Sequence, residues 1–532
     1  MRSIQHFLLV TLGLSTITLV AFSIIWGSNG AAADDWVYYY YAANHTITIL
    51  GSNREFGILL PTLGYTLFPG FQLVMYLGQI LSVAGAGVVL YYIFSYFAPR
   101  FREFGLLLAI IFILYIPGNP HQAMTYYSGS VFTWITFVGL AAIWLFLVQH
   151  TSNNRRKWPL LLGSAIAAYV AIRGQEASLF PLLFAPGILV LRERRLTRAL
   201  LAELAVWYTG VGIATIQVLS WITADKASDV VYQQWYDSAK TAGIIFDRML
   251  KLLTKSVPAF PATLDALVGS LTLGVLLAII AGCFWLYFCR RNDSAVSLPP
   301  VSHLLVMLLL GAAFMLFGFM APAYVGLLDY GRSHYFAAPG QALIVVSCIG
   351  LLGHALNHAL GIRIQATLIT SVILFSLLGM SWYTTAQNTV HDRRFDKSLQ
   401  FFHDFFALVP RVEDHSLIVF DCSDDAFYYE WVRIDDLAVR YFYNPTIHAS
   451  PMKYVEWTPD KVIYAYPILF LEPEPIEYLY DEVVLVQCTD NYLYIAPTIP
   501  QSIMPDTVSG YNPFARISQD FFTEGQWHLL GF

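Results

Sequence analysis

Long apolar runs, broken by short polar stretches, fill the first 383 residues of the chain. The first, Phe7 to Trp26, is 20 residues long. At about 1.5 Å per residue such a run crosses the roughly 30 Å hydrocarbon core of a bilayer. Further spans are predicted at 71–97, 104–117, 130–149, 160–172, 177–191, 199–223, 268–289, 303–321, 336–353 and 364–383, which gives about eleven. The short segments 104–117 and 160–172 are expected to extend into flanking polar residues, or to be tilted or broken. A cleaved signal peptide competes for the first run, because Ala31-Ala32-Ala33 could serve as a cleavage site. The run exceeds the usual 7–15-residue signal core and more spans follow, so a retained helix is expected.

Eleven spans alternate cleanly with the positive-inside rule. The inner loops 98–103, 150–159, 190–199, 289–302 and 354–363 hold Arg100, Arg102, Arg155, Arg156, Lys157, Arg192, Arg194, Arg195, Arg198, Arg290, Arg291 and Arg363. Against them stand only Glu103, Glu193 and Asp293. The N-terminus is therefore expected in the cytoplasm of a plasma or inner membrane, with 27–70 and everything after the last span outside. Two outer loops are long. Residues 27–70 include their own apolar stretches. Residues 224–267 read as an amphipathic helix, with Trp235, Ile244, Ile245, Met249 and Leu252 set among Lys240, Asp247, Arg248, Lys251 and Lys255.

The pattern changes near residue 384. Residues 384–532 carry many charges and read as a soluble extracytoplasmic domain of ordinary size, α/β or α+β, following an all-α membrane domain over 1–383. Phe395 to Leu408 has helical spacing. Ser416–Phe420 and Glu482–Val486 read as buried strands, with Lys461–Leu471 and Tyr492–Ala496 as further candidates. Cys422 and Cys488 each end a predicted strand and either pair or stay free; Cys283, Cys289 and Cys348 read as packing residues.

Composition sharpens the exclusions. The 532 residues are 57% hydrophobic and 12% charged, about half the roughly 25% charge of a soluble domain. Net charge is −6, without the basic excess of a nucleic-acid binder. Five cysteines exclude a disulfide-dense scaffold. The chain has no Gly-rich phosphate loop, no His/Cys metal spacing and no GxSxG. That argues against an ATP-driven pump and against a cytoplasmic nucleotide-sugar substrate.

The richest stretch is Ala33-Asp34-Asp35-Trp36-Val37-Tyr38-Tyr39-Tyr40-Tyr41, just past the first span. The acids read either as a solvated helix cap or as a general base and its helper, since adjacent carboxylates in a partly dry cleft cannot both ionise freely. Asp329-Tyr330-Gly331-Arg332-Ser333-His334-Tyr335 sets an arginine on the outer rim, where its planar fork suits a phosphate or simply pairs with Asp329. Arg173-Gly174-Gln175-Glu176 lies between apolar segments. A charge at the bilayer centre costs about 2.5–3.5 kcal/mol, so Arg173 and Glu176 pair, reach the surface or line a wet cavity. Gly118-Asn119-Pro120-His121-Gln122 with Tyr126 and Tyr127 makes a polar outer loop that could wall a sugar site or be plain loop. Asp34, Asp35 and His121 could also assemble a metal site, with no spacing signature behind it. Asn44-His45-Thr46 is an outward sequon.

The first span, the acidic pair, the aromatic-rich loop and Gly57-Ile58-Leu59-Leu60-Pro61-Thr62-Leu63-Gly64-Tyr65 together resemble the GT-C superfamily of membrane glycosyltransferases. The acidic pair is similar to the signature of protein O-mannosyltransferases and lipid A aminoarabinose transferases. The Pro61 region resembles their Pro-Pro-Leu-Tyr element with one proline in place of two. The likeness covers roughly residues 1–383. It implies an inverting transfer of sugar from a polyprenyl-phosphate donor to a hydroxyl of a glycan, lipid or protein acceptor in the cell envelope. Asp34 would be the catalytic base and Asp35 its helper. Arg332, Arg173 and His334 would hold the donor phosphate, and Glu176, His121, Tyr335 and Tyr126 would contact substrate. No cofactor is required by that scheme, though some relatives use a divalent ion. A transporter or lipid flippase, and a non-catalytic assembly factor, are the rival classes. An enzyme needs Asp34, Arg332 and Arg173 around one outward cavity.

Overall fold

A computed structural model describes residues 2–23, 56–57, 59, 72–114, 130–152, 154–193, 196–224, 242–255, 264–291, 298–325, 335–360, 365–421, 439, 443, 446–452, 455–464, 475–488, 493–504 and 509–518. Helices α1 (Arg2–Ala21), α2 (Gln72–Phe97), α3 (Arg102–Leu114), α4 (Ser130–Thr151), α5 (Asn154–Gly174), α6 (Leu179–Phe184), α7 (Gly187–Glu193) and α8 (Arg198–Ala224) form the first half of a bundle. Helices α9 (Ala242–Lys255), α10 (Leu264–Gly269), α11 (Leu271–Arg291), α12 (Val301–Val325), α13 (Ala338–Leu360) and α14 (Gln365–Leu408) complete it. Among the described residues, eight helices are long and apolar enough to cross a membrane. Leu12, Ile216, Leu309 and Phe375 stand exposed on such helices, a placement that lipid tolerates and water penalises. The chain is an integral membrane protein.

The remaining apolar segments are helical too. Helix α3 has 13 residues, and Glu103 to Leu114 are all buried. It is apolar on every side because α1, α2, α11, α13 and α14 surround it. The predicted segment 160–172 belongs to α5, which begins in the cationic stretch at Asn154. The predicted span 177–191 is broken: a 3₁₀ turn, Glu176–Ser178, leads to the short α6 and α7. Pro186 between them has no N–H to give, which ends α6. The amphipathic reading of 224–267 corresponds to α9, whose Leu252, with Ile245 and Met249, packs on Phe319 and Ala323 of α12.

Helix α14 runs unbroken for 44 residues, about 66 Å at 1.5 Å per residue. That exceeds the roughly 40–45 Å of a whole bilayer with its headgroups, so its last turns stand clear of the membrane and carry the C-terminal sheets. This end of the bundle is called the upper end below. There β2 (Leu417–Asp421), β3 (His448–Pro451), β7 (Val483–Cys488) and β8 (Leu493–Ile495) form one sheet in the order β3-β2-β7-β8. Strands β3, β2 and β7 are parallel and β8 is antiparallel. Alternation assigns the faces. Phe420 meets Phe401 and Phe405 of α14 on one side. Leu417, Val419, Val483 and Leu485 pack on the other side against a second sheet of β4 (Val455–Trp457), β5 (Val462–Tyr464) and β6 (Ile476–Tyr478). A two-residue ladder, β1 (Arg411–Val412) with β9 (Ile517–Ser518), and the turn of helix α15 (Pro513–Arg516) close the domain. Cys488 is disulfide-bonded, whereas Cys283, Cys289 and Cys348 are free. Cys422 lies outside the described residues.

Candidate functional site

Of the sequence elements singled out above, the Arg173 turn and the residues from Tyr335 onward are described. Helix α5 ends at Arg173-Gly174, and the chain turns through Gln175 into Glu176–Ser178, with Ser178 Oγ donating to the Gln175 carbonyl at 2.9 Å. Arg173 is 7% exposed and Glu176 is half-buried. The turn needs a glycine at 174, because any Cβ there would overlap the Ile135 side chain and crowd the backbone of Gly57. Gly57 in turn lies against the Gly174 carbonyl, closer than any side chain allows. Phe56 beside it accepts a hydrogen bond from Trp134 Nε1 at 3.3 Å and packs edge-on to Tyr169. Residues 56 and 57 are thereby docked on the Arg173 turn.

A second segment reaches the same place. Tyr335 and Phe336 open the turn into α13, and both are buried. Phe336 meets Phe132 of α4 with ring centroids 6.2 Å apart. Phe336 and Pro339 then face Ile135, Thr136, Gly139 and Leu140 of α4, and Ser178, Pro181 and Leu182, across a small apolar cavity of about 20 Å³. That space admits a methyl branch or a single water, not more. Of the two hydroxyl side chains that line it, Ser178 is hydrogen-bonded and Thr136 has no partner among the described residues. Thr136 is 5% exposed, and its Oγ1 has no hydrogen-bond partner. The Gln175 Oε1 and the Tyr335 hydroxyl, both buried, have none either among the described residues. A buried polar atom without a partner costs about 1–3 kcal/mol. Burial also pushes the Tyr335 hydroxyl well above its ordinary pKa, so it stays a neutral donor.

Helix α14 ties down the upper ends of α1 and α3. Asn388 Nδ2 donates to the Ala21 carbonyl at the end of α1 at 2.6 Å, and the Thr384 hydroxyl donates to the Leu114 carbonyl at the end of α3. Both carbonyls belong to last helical turns that lack intrahelical partners. The chain leaves α1 toward Asp34 and leaves α3 toward His121, so α14 anchors the starting points of both loops. Sequence reasoning did not single out Thr136, Gln175, Phe336, Thr384 or Asn388. An Asn and two Thr within an otherwise apolar helix were the signal available for the last two.

Of the residues expected to act, Arg173, Glu176 and Tyr335 are described; none of them lines the cavity, whereas Ser178 and Phe336 close to them in sequence do. Asp34, Asp35, His121, Tyr126, Arg332 and His334 lie outside the described residues. So does any metal set built on the acidic pair; the described residues hold no cluster of three or more His, Cys, Asp or Glu side chains.

No family model and no curated protein sequence matches the chain. Among solved structures it is similar to the oligosaccharyltransferase of Archaeoglobus fulgidus, crystallised with zinc and sulfate, at 14% identity and a TM-score of 0.44. That alignment covers 83% of this chain and 62% of the archaeal one, so this chain spans less than two thirds of that protein's length. It is also similar to ArnT from Cupriavidus metallidurans, crystallised with undecaprenyl phosphate, at 15% identity and a TM-score of 0.39, over 78% of this chain and 83% of that one.

Proposed function

We propose that the protein is a membrane glycosyltransferase that moves a sugar from a polyprenyl-phosphate donor to an acceptor hydroxyl on the extracytoplasmic face. In this reading residues 1–383 form the catalytic membrane domain, and 384–532 form an outward domain that meets the acceptor. What supports it is an apolar cavity lined by Ile135, Ser178 and Phe336, with the Arg173-Gly174 turn packed on Ile135 and on Gly57 beside it. A lipid-linked sugar phosphate asks for that pairing of an apolar seat with cationic and hydrogen-bonding groups. The cavity takes one methyl branch of the prenyl chain nearest the phosphate. Arg173, with Arg332 and His334 from the segment preceding Tyr335, faces the phosphate, and Glu176, His121, Tyr126 and Tyr335 contact sugar or acceptor.

The chemistry follows from charge. As the bond between the anomeric carbon and the phosphate oxygen breaks, negative charge grows on that oxygen, and preplaced guanidinium groups lower the barrier. Asp34 takes the proton of the incoming hydroxyl, whose oxygen attacks the opposite face of the anomeric carbon, so configuration inverts in one displacement. Asp35 supports Asp34. The reaction as written needs no metal.

The test is transfer by the purified protein from a panel of polyprenyl-phosphate sugars. Asp34→Asn is expected to abolish transfer without changing donor binding. Arg332→Ala and Arg173→Gln are expected to weaken donor binding about tenfold or more, the scale of one charge-assisted contact. Normal turnover by both Asp34→Asn and Asp35→Asn would refute the assignment of the base.

A further inference from the structure

Four helix ends meet at the lower end of the bundle, away from the C-terminal domain. They are the first turns of α1 and α3 and the last turns of α2 and α11. Tyr91 of α2 places its hydroxyl 2.6 Å from His6 Nε2 of α1, in hydrogen-bond contact. The His6 ring also lies 5.3 Å from that of Phe288 of α11, and Phe7 stacks on Tyr92 at 6.2 Å. Trp285 Nε1 of α11 donates to the Glu103 carbonyl at 3.2 Å, which ties the start of α3 to the same place. Glu103 itself is buried, whereas Arg102 before it is exposed. Arg291, the last residue of α11, is exposed too.

The guanidiniums of Arg102 and Arg291 both stand within electrostatic range of His6, and that of Arg102 also within range of Tyr91 and Tyr92. Among the described residues neither arginine makes an ion pair or a hydrogen bond. The positive-inside rule asks only that cations lie on one face of the membrane. It does not ask that two of them, from distant parts of the chain, meet beside one ring and stay unpaired. Neighbouring like charges repel, and an anion between them turns that repulsion into attraction. The surface beside them is apolar. Ile4, Leu8 and Leu12 form an exposed row along α1, and Ile279 and Tyr287 are exposed on α11. An apolar row that starts at a cationic rim suits a ligand with an anionic head and hydrocarbon tails, whereas a free anion gains nothing from the row. A guanidinium fork matches two oxygens of a phosphate diester.

We propose that Arg102 and Arg291 bind the headgroup of an anionic phospholipid in the leaflet away from the C-terminal domain, with its acyl chains along α1. The inference does not rest on the transferase reading and is tested without turnover. The full-length protein in detergent is stripped of lipid and titrated with phosphatidylglycerol or with phosphatidylcholine of the same chains, and bound lipid is counted by native mass spectrometry. The native chain is expected to hold phosphatidylglycerol about tenfold more tightly, the scale of two cations near an anionic head. Arg102→Gln/Arg291→Gln is expected to erase that preference, and each single substitution to weaken it in part. Arg155→Gln/Arg156→Gln removes two exposed cations at the start of α5, on the same end of the bundle, and is expected to leave it intact. Thermal unfolding of each variant checks the fold, and the single substitutions carry the test if the double one unfolds. Inorganic phosphate in excess is expected not to displace the lipid. Equal binding of the two lipids, equal loss in both double variants, an undiminished preference without Arg102 and Arg291, or displacement by phosphate would each overturn the proposal.

Discussion

Removing one cation from the lower end of the bundle should cost more than any surface ion pair could. Glu203 sits in α8 at 2% exposure. Its Oε1 lies 2.5 Å from Lys157 Nζ at the start of α5. Its Oε2 accepts from Gln149 Nε2 at 3.0 Å and meets His150 Nδ1 at 2.8 Å, both near the end of α4. His150 Nε2 is 3.6 Å from Glu193 of α7. One carboxylate thus ties together the ends of three helices across two loops. Lys157 is itself only 24% exposed, so solvent cannot stand in for it fully. Lys157→Met keeps the stem and removes the charge, and leaves a buried carboxylate with its main cation gone. Breaking such a pair costs about 3–5 kcal/mol, against less than about 1 kcal/mol for an exposed one. The measurement is thermal unfolding in one detergent for Lys157→Met, Glu203→Leu and the double variant. Lys157→Met is expected to fall by roughly 5–10 °C, taking the per-kcal scale of a large domain. The double variant should recover most of the loss, because the orphaned charge is gone. A single-variant loss under about 1 °C, or a double variant no better than the single, would refute the reasoning.

Two further outcomes follow from close packing and from burial. Gly57→Ala should destabilise more than Gly174→Ala: a Cβ at 57 meets the backbone carbonyl of Gly174, whereas one at 174 meets the movable end of Ile135. Overpacking costs about 1–3 kcal/mol, and Ile135→Ala should rescue Gly174→Ala but not Gly57→Ala in a thermal-shift assay. In the sheet domain, burial pushes the Tyr511 hydroxyl up to about 12, while it accepts from the Leu485 N–H and donates to the Ala496 carbonyl. The native state then holds that proton more tightly than the unfolded chain, so the linked stability is whole below about pH 10 and is lost as pH rises through about 12. Two pH units are worth about 2–3 kcal/mol. Tyr511→Phe should start about 1 kcal/mol less stable at neutral pH and show a flatter decline between pH 10 and 12 by circular dichroism.

What the sequence disclosed and what it concealed divide along physical lines. Burial leaves a periodic trace, so the apolar helices, the strand cores at 417–420 and 483–486, the helix ending at Leu408 and the amphipathic α9 were all legible. Long-range polar contacts leave none. Glu203 sits within the predicted span 199–223 and its partners lie 46 to 54 residues earlier, so nothing local marked it as the centre of a cluster. Lys157, counted among the cations of an inner loop, is committed to that carboxylate. The rupture of 177–191 into short helices is set by Pro186 and by the need for the turn at Gly174 to pass over Ile135, and hydropathy averaged both away. Helix α14 was split at 384 because its composition changes there, yet its backbone continues; composition reports the solvent around a helix and not its end.

The same distinction bears on the site. Arg173 and Tyr335 were singled out as charged or polar residues at the ends of apolar runs, and the cavity is lined by Ser178 and Phe336 near them in sequence but by neither of the two. Thr136, Gln175 and the residues that α14 contributes were not, because their meaning lies in what they lack or reach. A threonine in an apolar helix is ordinary when its hydroxyl bonds back to its own helix, as Ser347 does to Leu343. Thr136 forgoes that bond at full burial, and Thr384 and Asn388 spend theirs on the ends of other helices. Such departures are costly, and a helix that only had to fill space would be better served by valine or alanine. Thr384 and Asn388 make theirs at the upper ends of α3 and α1. The packing of α14 there fixes where the chain leaves α1 and α3.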